Sequence, residues 1–128
     1  MSLPATQNEE QVRAVMQRYV QAVYEADIES LRDVFHGEAF MGGYLGDDLL
    51  MGTPEPFFAD VGGRPSMAEE RTQYTSEITS LEVQGRAASV TLREDGFFGT
   101  HRFVNYFTLI EVEGRWKIAS KTFASLSA

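Results

Sequence analysis

The chain has no cysteine, which excludes disulfide bridges and thiolate nucleophiles. His36 and His101 are its only imidazoles, so a zinc site would have to be completed by carboxylates, and no metal and no cofactor is expected. No run approaches the roughly 20 apolar residues of a membrane span. The opening MSLPATQNEE lacks the basic and apolar segments of a secretory leader, so the expectation is a cytoplasmic protein without membrane contact. Positive charge is scarce: 11 Lys and Arg stand against 19 Asp and Glu, a net charge of −8. That is the wrong sign for phosphate backbones, and nucleic acid is not an expected partner. Nucleophile elbow, P-loop, dinucleotide fingerprint and His-Glu-x-x-His patterns are also missing.

What is present is core material. The 128 residues are 43% hydrophobic and 12% aromatic, enough for one domain over residues 1–128 that folds on its own core. Thr6 and Glu9 have capping-box spacing, and Val12, Val15, Met16, Tyr19, Val20 and Val23 follow at gaps of three and four, predicting an amphipathic helix. Asp27 is placed to cap a second helix whose buried face is Ile28, Leu31, Val34 and Phe35, with Gly37 as its stop. The segment AFMGGYLGDDLLMG predicts two short strands around a turn near Gly46 and Asp47. Thr53 and Pro54 then open a third helix through about Val61, closed by Gly62 and Gly63. RPSMAEERTQ has no periodic apolar face and is expected to be a solvated loop.

The second half predicts four strands, Tyr74–Gln84, Ala87–Glu94, Gly99–Val112 and Arg115–Phe123, broken at QGR, EDG and EGR. Each break carries a glycine suited to a hairpin. Helices first and an antiparallel meander second make an α+β fold, with the N-terminal helices packed on one face of a curved, mainly antiparallel sheet.

Alternation along the third of these strands puts His101, Phe103, Asn105, Phe107 and Leu109 on one face. Asn105 therefore lies among phenylalanines, and a buried carboxamide needs a partner, as does the Tyr19 hydroxyl. Each is a partner for the other, or a ligand is a partner for both. Tyr19 stays open between core filler and a hydroxyl aimed into a cavity. His101 lies near a strand end, where it is solvated or poised as a base, and His36 is expected at a helix terminus as a cap or dipole partner. In the last strand, alternation sets Trp116, Ile118, Ser120 and Thr122 against Lys117, Ala119, Lys121 and Phe123. Val104, Tyr106, Ile110 and Phe123 then form a second apolar face, which suggests a homodimer through the sheet.

YVQAVYEADIESLRDVFHGEAFM, GRPS and FVNYFTLIEVEGRWKIASKTF resemble the "putative lumazine-binding" branch of the nuclear transport factor two-like (NTF2-like) superfamily. The superfamily also holds SnoaL-like proteins and ketosteroid isomerases, and the resemblance implies a cone-shaped fold that dimerises through its sheet. Family members usually read Asp-Tyr where this chain has Asn105 and Tyr106. QRYVQAVYEADIESLRDVF also resembles the start of ketosteroid isomerases, whose oxyanion hole pairs a tyrosine with a protonated aspartate. Tyr19 matches that tyrosine and Asn105 falls at the second donor, but the expected base falls at Gly43. The resemblance thus implies a binding protein for a small apolar or aromatic molecule, in a pocket lined by Tyr19, His36, Tyr44, Phe103, Asn105, Phe107 and Trp116. The alternatives are a cofactor-free isomerase, cyclase or dehydratase with Tyr19 and Asn105 as oxyanion donors and His101 or His36 as base, and a non-catalytic dimerisation module.

Overall fold

The computed structural model describes residues 5–126, with side chains from residue 7. Helix α1 spans Ala5–Glu25, so it begins ahead of Thr6. The Thr6 side chain of the expected capping box lies outside the described residues. Val12, Met16, Tyr19 and Val23, one to a turn, are fully buried. At Ala26 the backbone enters the left-handed region (φ 55) and ends α1. Asp27 starts α2, Ile28–Val34, its Oδ1 accepting from the Ser30 amide at 3.2 Å, as its spacing predicts.

Strand β1 takes over directly, Phe35–Leu45. Phe35 is therefore in the extended conformation (φ −92, ψ 144), paired with Ile118, and does not extend the helix to Gly37. The reason is tertiary: its ring packs edge-on against Phe58, 5.2 Å away. His36 consequently lies on a strand rather than at a helix terminus. A turn at Gly46 leads to β2, Asp48–Gly52, and α3 follows at Glu55–Gly62, where Thr53 Oγ1 accepts from the Glu55 amide at 3.4 Å. The segment expected to be solvated is anchored: Met67 is fully buried, its sulfur accepting from the Phe98 amide at 3.2 Å, and Ser66 Oγ accepts from the Glu69 amide.

The remaining strands are β3 (Thr75–Gln84), β4 (Ala87–Phe97), β5 (His101–Val112) and β6 (Arg115–Ser125). All six strands form one sheet in the order β2-β1-β6-β5-β4-β3, antiparallel except for the parallel pair β1 and β6. It is an unclosed, curved sheet. Register shifts interrupt β3–β4, β4–β5 and β5–β6, and each such bulge adds local bend and twist. The helices cover the concave face, where the core lies. Among the described residues no helix is long and apolar enough to cross a membrane.

Two bulges change the reading of the faces. EDG is not a hairpin: β4 continues to Phe97, and the reversal comes afterwards, with Phe98 (φ 47) and Gly99 (φ 86) in left-handed conformations. Gly96 stays inside the strand at φ +78, and a Cβ there would stand 2.1 Å from the Gln73 carbonyl oxygen, so the bulge needs glycine. In β6, Ile118 pairs with Leu109 but Ser120 pairs with Thr108, leaving Ala119 as the extra residue. Trp116 and Ile118 point inward before it, Lys121 and Phe123 after it. Phe123 is thus a core residue, not part of the second face. Tyr106 and Ile110 do lie exposed on that convex face.

Candidate functional site

A cavity of about 400 Å³ opens on the concave side. The β1–β2 hairpin and α3 supply its apolar walls, with Leu49, Leu50, Met51 and Phe57 among them, and Phe97, Phe103 and Phe123 enclose its inner part. Against these stand three buried polar side chains from three adjacent strands: Glu94 on β4, Asn105 on β5 and Lys121 on β6. Their exposures are 1%, 1% and 4%. Burial of that order is costly unless the groups bond one another or a guest.

Much of that cost is met internally. Asn105 Nδ2 donates to Glu94 Oε1 at 2.5 Å and to the Leu92 carbonyl at 3.3 Å. The Tyr74 hydroxyl donates to Glu94 Oε2. With two acceptors on one side of it, the carboxamide is fixed with its nitrogen toward Glu94 and its Oδ1 away. Oδ1 has no partner among the described residues. Burial and the neighbouring Glu94 carboxylate push the Tyr74 hydroxyl far above its ordinary pKa, so it stays a donor. Lys121 is different: its ammonium stands 3.8 Å from the Phe57 ring centre and 5.4 Å from that of Tyr19. Burial brings its pKa down to about 8, against the pull of Glu94 toward the charged form.

The residues singled out in the sequence fall into three groups. Asn105 and Phe103 line the cavity. Tyr19 and Phe107 lie behind it in the core, their rings edge-on at 5.1 Å. The Tyr19 hydroxyl has no partner among the described residues, and burial, with Glu94 and Tyr74 nearby, raises its pKa strongly. Tyr19 and Asn105 are therefore not bonded to each other. The others lie elsewhere. His101 stacks on Phe103 at 5.8 Å, with Nδ1 at 2.9 Å from the Thr100 hydroxyl. His36 Nδ1 accepts from the Glu38 amide. Tyr44 is 57% exposed, and Trp116 borders a separate recess with Arg18, Asp33 and Lys117. None of these four lines the cavity. Gly43 has no room for a base: a Cβ there would be 2.5 Å from the Phe123 carbonyl oxygen.

Lys121 was hidden by the bulge in β6, whereas Glu94 continues the inward alternation of Ala88, Val90 and Leu92 ahead of the β4 bulge, and only its place in EDG made it read as part of a turn. The signals were present, however: a glycine within an otherwise regular strand pattern marks a bulge. Ile118 and Phe123 also stand an odd number of residues apart, and a regular strand cannot turn both inward. Among the described residues there is no cluster of three metal-ligating side chains.

Comparison with known proteins agrees with the architecture. Residues 7–124 match the model of the family described as "Putative lumazine-binding". A search of curated proteins finds no match. Among solved structures, the chain is similar to an NTF2-like protein of unknown function from Shewanella baltica, at 25% identity over 99% of this chain and 100% of that one, with a TM-score of 0.87. It is similar to another from Silicibacter pomeroyi at 26% identity, covering 96% and 99%, with a TM-score of 0.86. A "putative dehydratase" of the NTF2-like family from Streptomyces avermitilis shares the fold at 17% identity, covering 98% and 100%, with a TM-score of 0.67. Because the family match runs over nearly the whole chain, with the curved sheet and covering helices seen here, the chain belongs to the "Putative lumazine-binding" family of the NTF2-like superfamily.

Proposed function

We propose that this chain binds a small, planar, largely apolar molecule with one polar edge. The observation that carries the reading is the juxtaposition of Glu94, Asn105 and Lys121 under apolar and aromatic walls in a cavity of about 400 Å³. Small-molecule sites have this composition: mostly apolar lining with a few convergent polar groups. The body of the ligand lies between Phe57, Phe97 and Phe103, and its edge meets the donors and acceptors of the polar trio. Lumazine, the molecule in the family's description, is a planar heterocycle, though one more polar than this lining favours.

Binding is tested by calorimetry against lumazine and a panel of planar aromatics. Saturable binding by the wild-type chain that is lost in Asn105→Leu supports the reading. Affinity unchanged in that variant places the site elsewhere.

The isomerase alternative has less behind it, because neither histidine borders the cavity and Gly43 leaves no room for a base; the carboxylates that line it are Glu94, which is buried, and Asp60 at its exposed rim. Tyr106, 53% exposed, and Ile110 on the convex face support a homodimer through the sheet. Sedimentation of wild type and Tyr106→Glu tests it: a dimer that becomes a monomer in the variant agrees, and a wild-type monomer removes it.

A further inference from the structure

The chain carries two lysines, Lys117 and Lys121. Lys117 donates to the Asp33 carbonyl and, at 3.3 Å, to the Asp33 carboxylate. That pairing spends its charge and gives it a structural task. The Lys121 ammonium takes part in none of the side-chain hydrogen bonds or ion pairs found among the described residues. It borders the cavity, 4% exposed, with its head over the Phe57 ring and Glu94 lining the same cavity. A fully charged lysine is an expensive way to fill such a place. An amine held next to an apolar cavity, with a carboxylate to move protons, is the arrangement that makes lysine a nucleophile toward carbonyl carbon.

We propose that Lys121 captures a small aromatic aldehyde or ketone in this cavity as an imine, with Glu94 as the proton carrier. The proposal rests on the reading that the cavity takes a small molecule, and adds the ligand's chemical class. The Nζ lone pair attacks the carbonyl carbon and the π electrons move to oxygen. Glu94 carries one proton from nitrogen to that oxygen, giving a carbinolamine. The nitrogen lone pair then expels the hydroxyl, which leaves as water with the second nitrogen proton. One amine and one carbonyl give one imine and one water, with no oxidant or reductant.

Three features support the step. Asn105 and Tyr74 hold the two Glu94 oxygens from different sides, which orients the carboxylate. The aromatic walls suit an aryl carbonyl. With the pKa at about 8, free amine at neutral pH is roughly 300-fold more abundant than in an ordinary lysine.

The test uses naphthaldehyde, with naphthylmethanol as a non-carbonyl isostere. The wild-type chain is incubated with the aldehyde and cyanoborohydride, and the attached naphthylmethyl group is located by peptide mass mapping. The expected result is that, of the two lysines, Lys121 carries the adduct, formed at least about tenfold faster than on Lys117, and that excess naphthylmethanol suppresses it. Equal labelling of both lysines, or labelling that the alcohol does not suppress, overturns the proposal. If the alcohol binds and raises the melting temperature but the aldehyde leaves Lys121 unlabelled, imine capture falls and the binding reading stands. If neither compound binds nor labels, both fall. No variant is needed, so a folding defect cannot obscure the outcome.

Discussion

Asn105 and Glu94 hold each other inside the sheet, the carboxamide nitrogen donating to the carboxylate at 2.5 Å between neighbouring strands. Leu92 is the register partner of Asn105 and offers its carbonyl to the same nitrogen. The side chain is thereby locked from two points on β4. Asn105→Leu leaves a buried carboxylate one donor short, and hydrogen bonds to charged groups contribute about 1.5–3 kcal/mol. Equilibrium unfolding in urea is expected to show a loss of that size, alongside the loss of binding. Asn105→Asp sets a second carboxyl against Glu94, and one of the two is expected to take up a proton near neutral pH.

Tyr19 gives the opposite expectation. Its ring packs against Phe107, Phe35 and Phe57, while its hydroxyl is buried without a partner among the described residues. Tyr19→Phe keeps the ring and removes the unpaired group, so stability is expected to be unchanged or to rise by about 1 kcal/mol. A loss of several kcal/mol in urea unfolding would show that the hydroxyl is satisfied.

Stability should depend on pH through Lys121. Its folded pKa of about 8 lies below the ordinary value of 10.5, so between these values the unfolded chain holds a proton that the folded chain has released. Stability therefore rises with pH through this window, and the contribution is lost again as pH falls through 8. The full span is worth about 3 kcal/mol. Above pH 10 the buried tyrosines reverse the trend, because Tyr19 and Tyr74 keep their protons when folded and lose them when unfolded. Melting temperature measured from pH 6 to pH 10 should increase across the upper part of this range, and Lys121→Met should flatten it.

At Gly43 the space is occupied, since a Cβ would meet the Phe123 ring carbons at 2.7 Å as well as its carbonyl oxygen. Gly43→Asp, which supplies a carboxylate where ketosteroid isomerases have their base, is expected to cost about 1–3 kcal/mol of stability. It should not create isomerase activity on a ketosteroid. Turnover by that variant would mean that the two strands can separate at this point.

Regular elements were legible in the sequence because a single period governs them. Val12, Met16, Tyr19 and Val23 mark the buried face of α1, and His101 to Leu109 alternate as the pleat demands. Asn105 could be placed in the core from that alternation alone. Glu94 obeys the same rule, in step with Ala88, Val90 and Leu92, and was lost only because EDG reads as a turn; Lys121 could not be placed, because the extra residue Ala119 inverts every later side chain on β6. The complete trio therefore became visible only once the β6 register was known. His36, Tyr44 and Trp116 are misplaced for a related reason: residue type suggests a pocket, but only the curvature of the sheet decides which part of a strand reaches it.

The parallel pairing of β1 with β6 sets an order of assembly. Met41 is the register partner of Lys121, so the wall bearing the β1–β2 hairpin joins the sheet only through the most C-terminal strand described. Local hairpins among β3, β4 and β5 can form early, whereas this union must close a loop spanning most of the chain and pays its entropy late. In a chain emerging from the ribosome, the wall and Lys121 come together in the same final event. A chain stopped short of β6 has neither, and leaves the inner edge of β5 and the apolar hairpin open to mispairing with other chains.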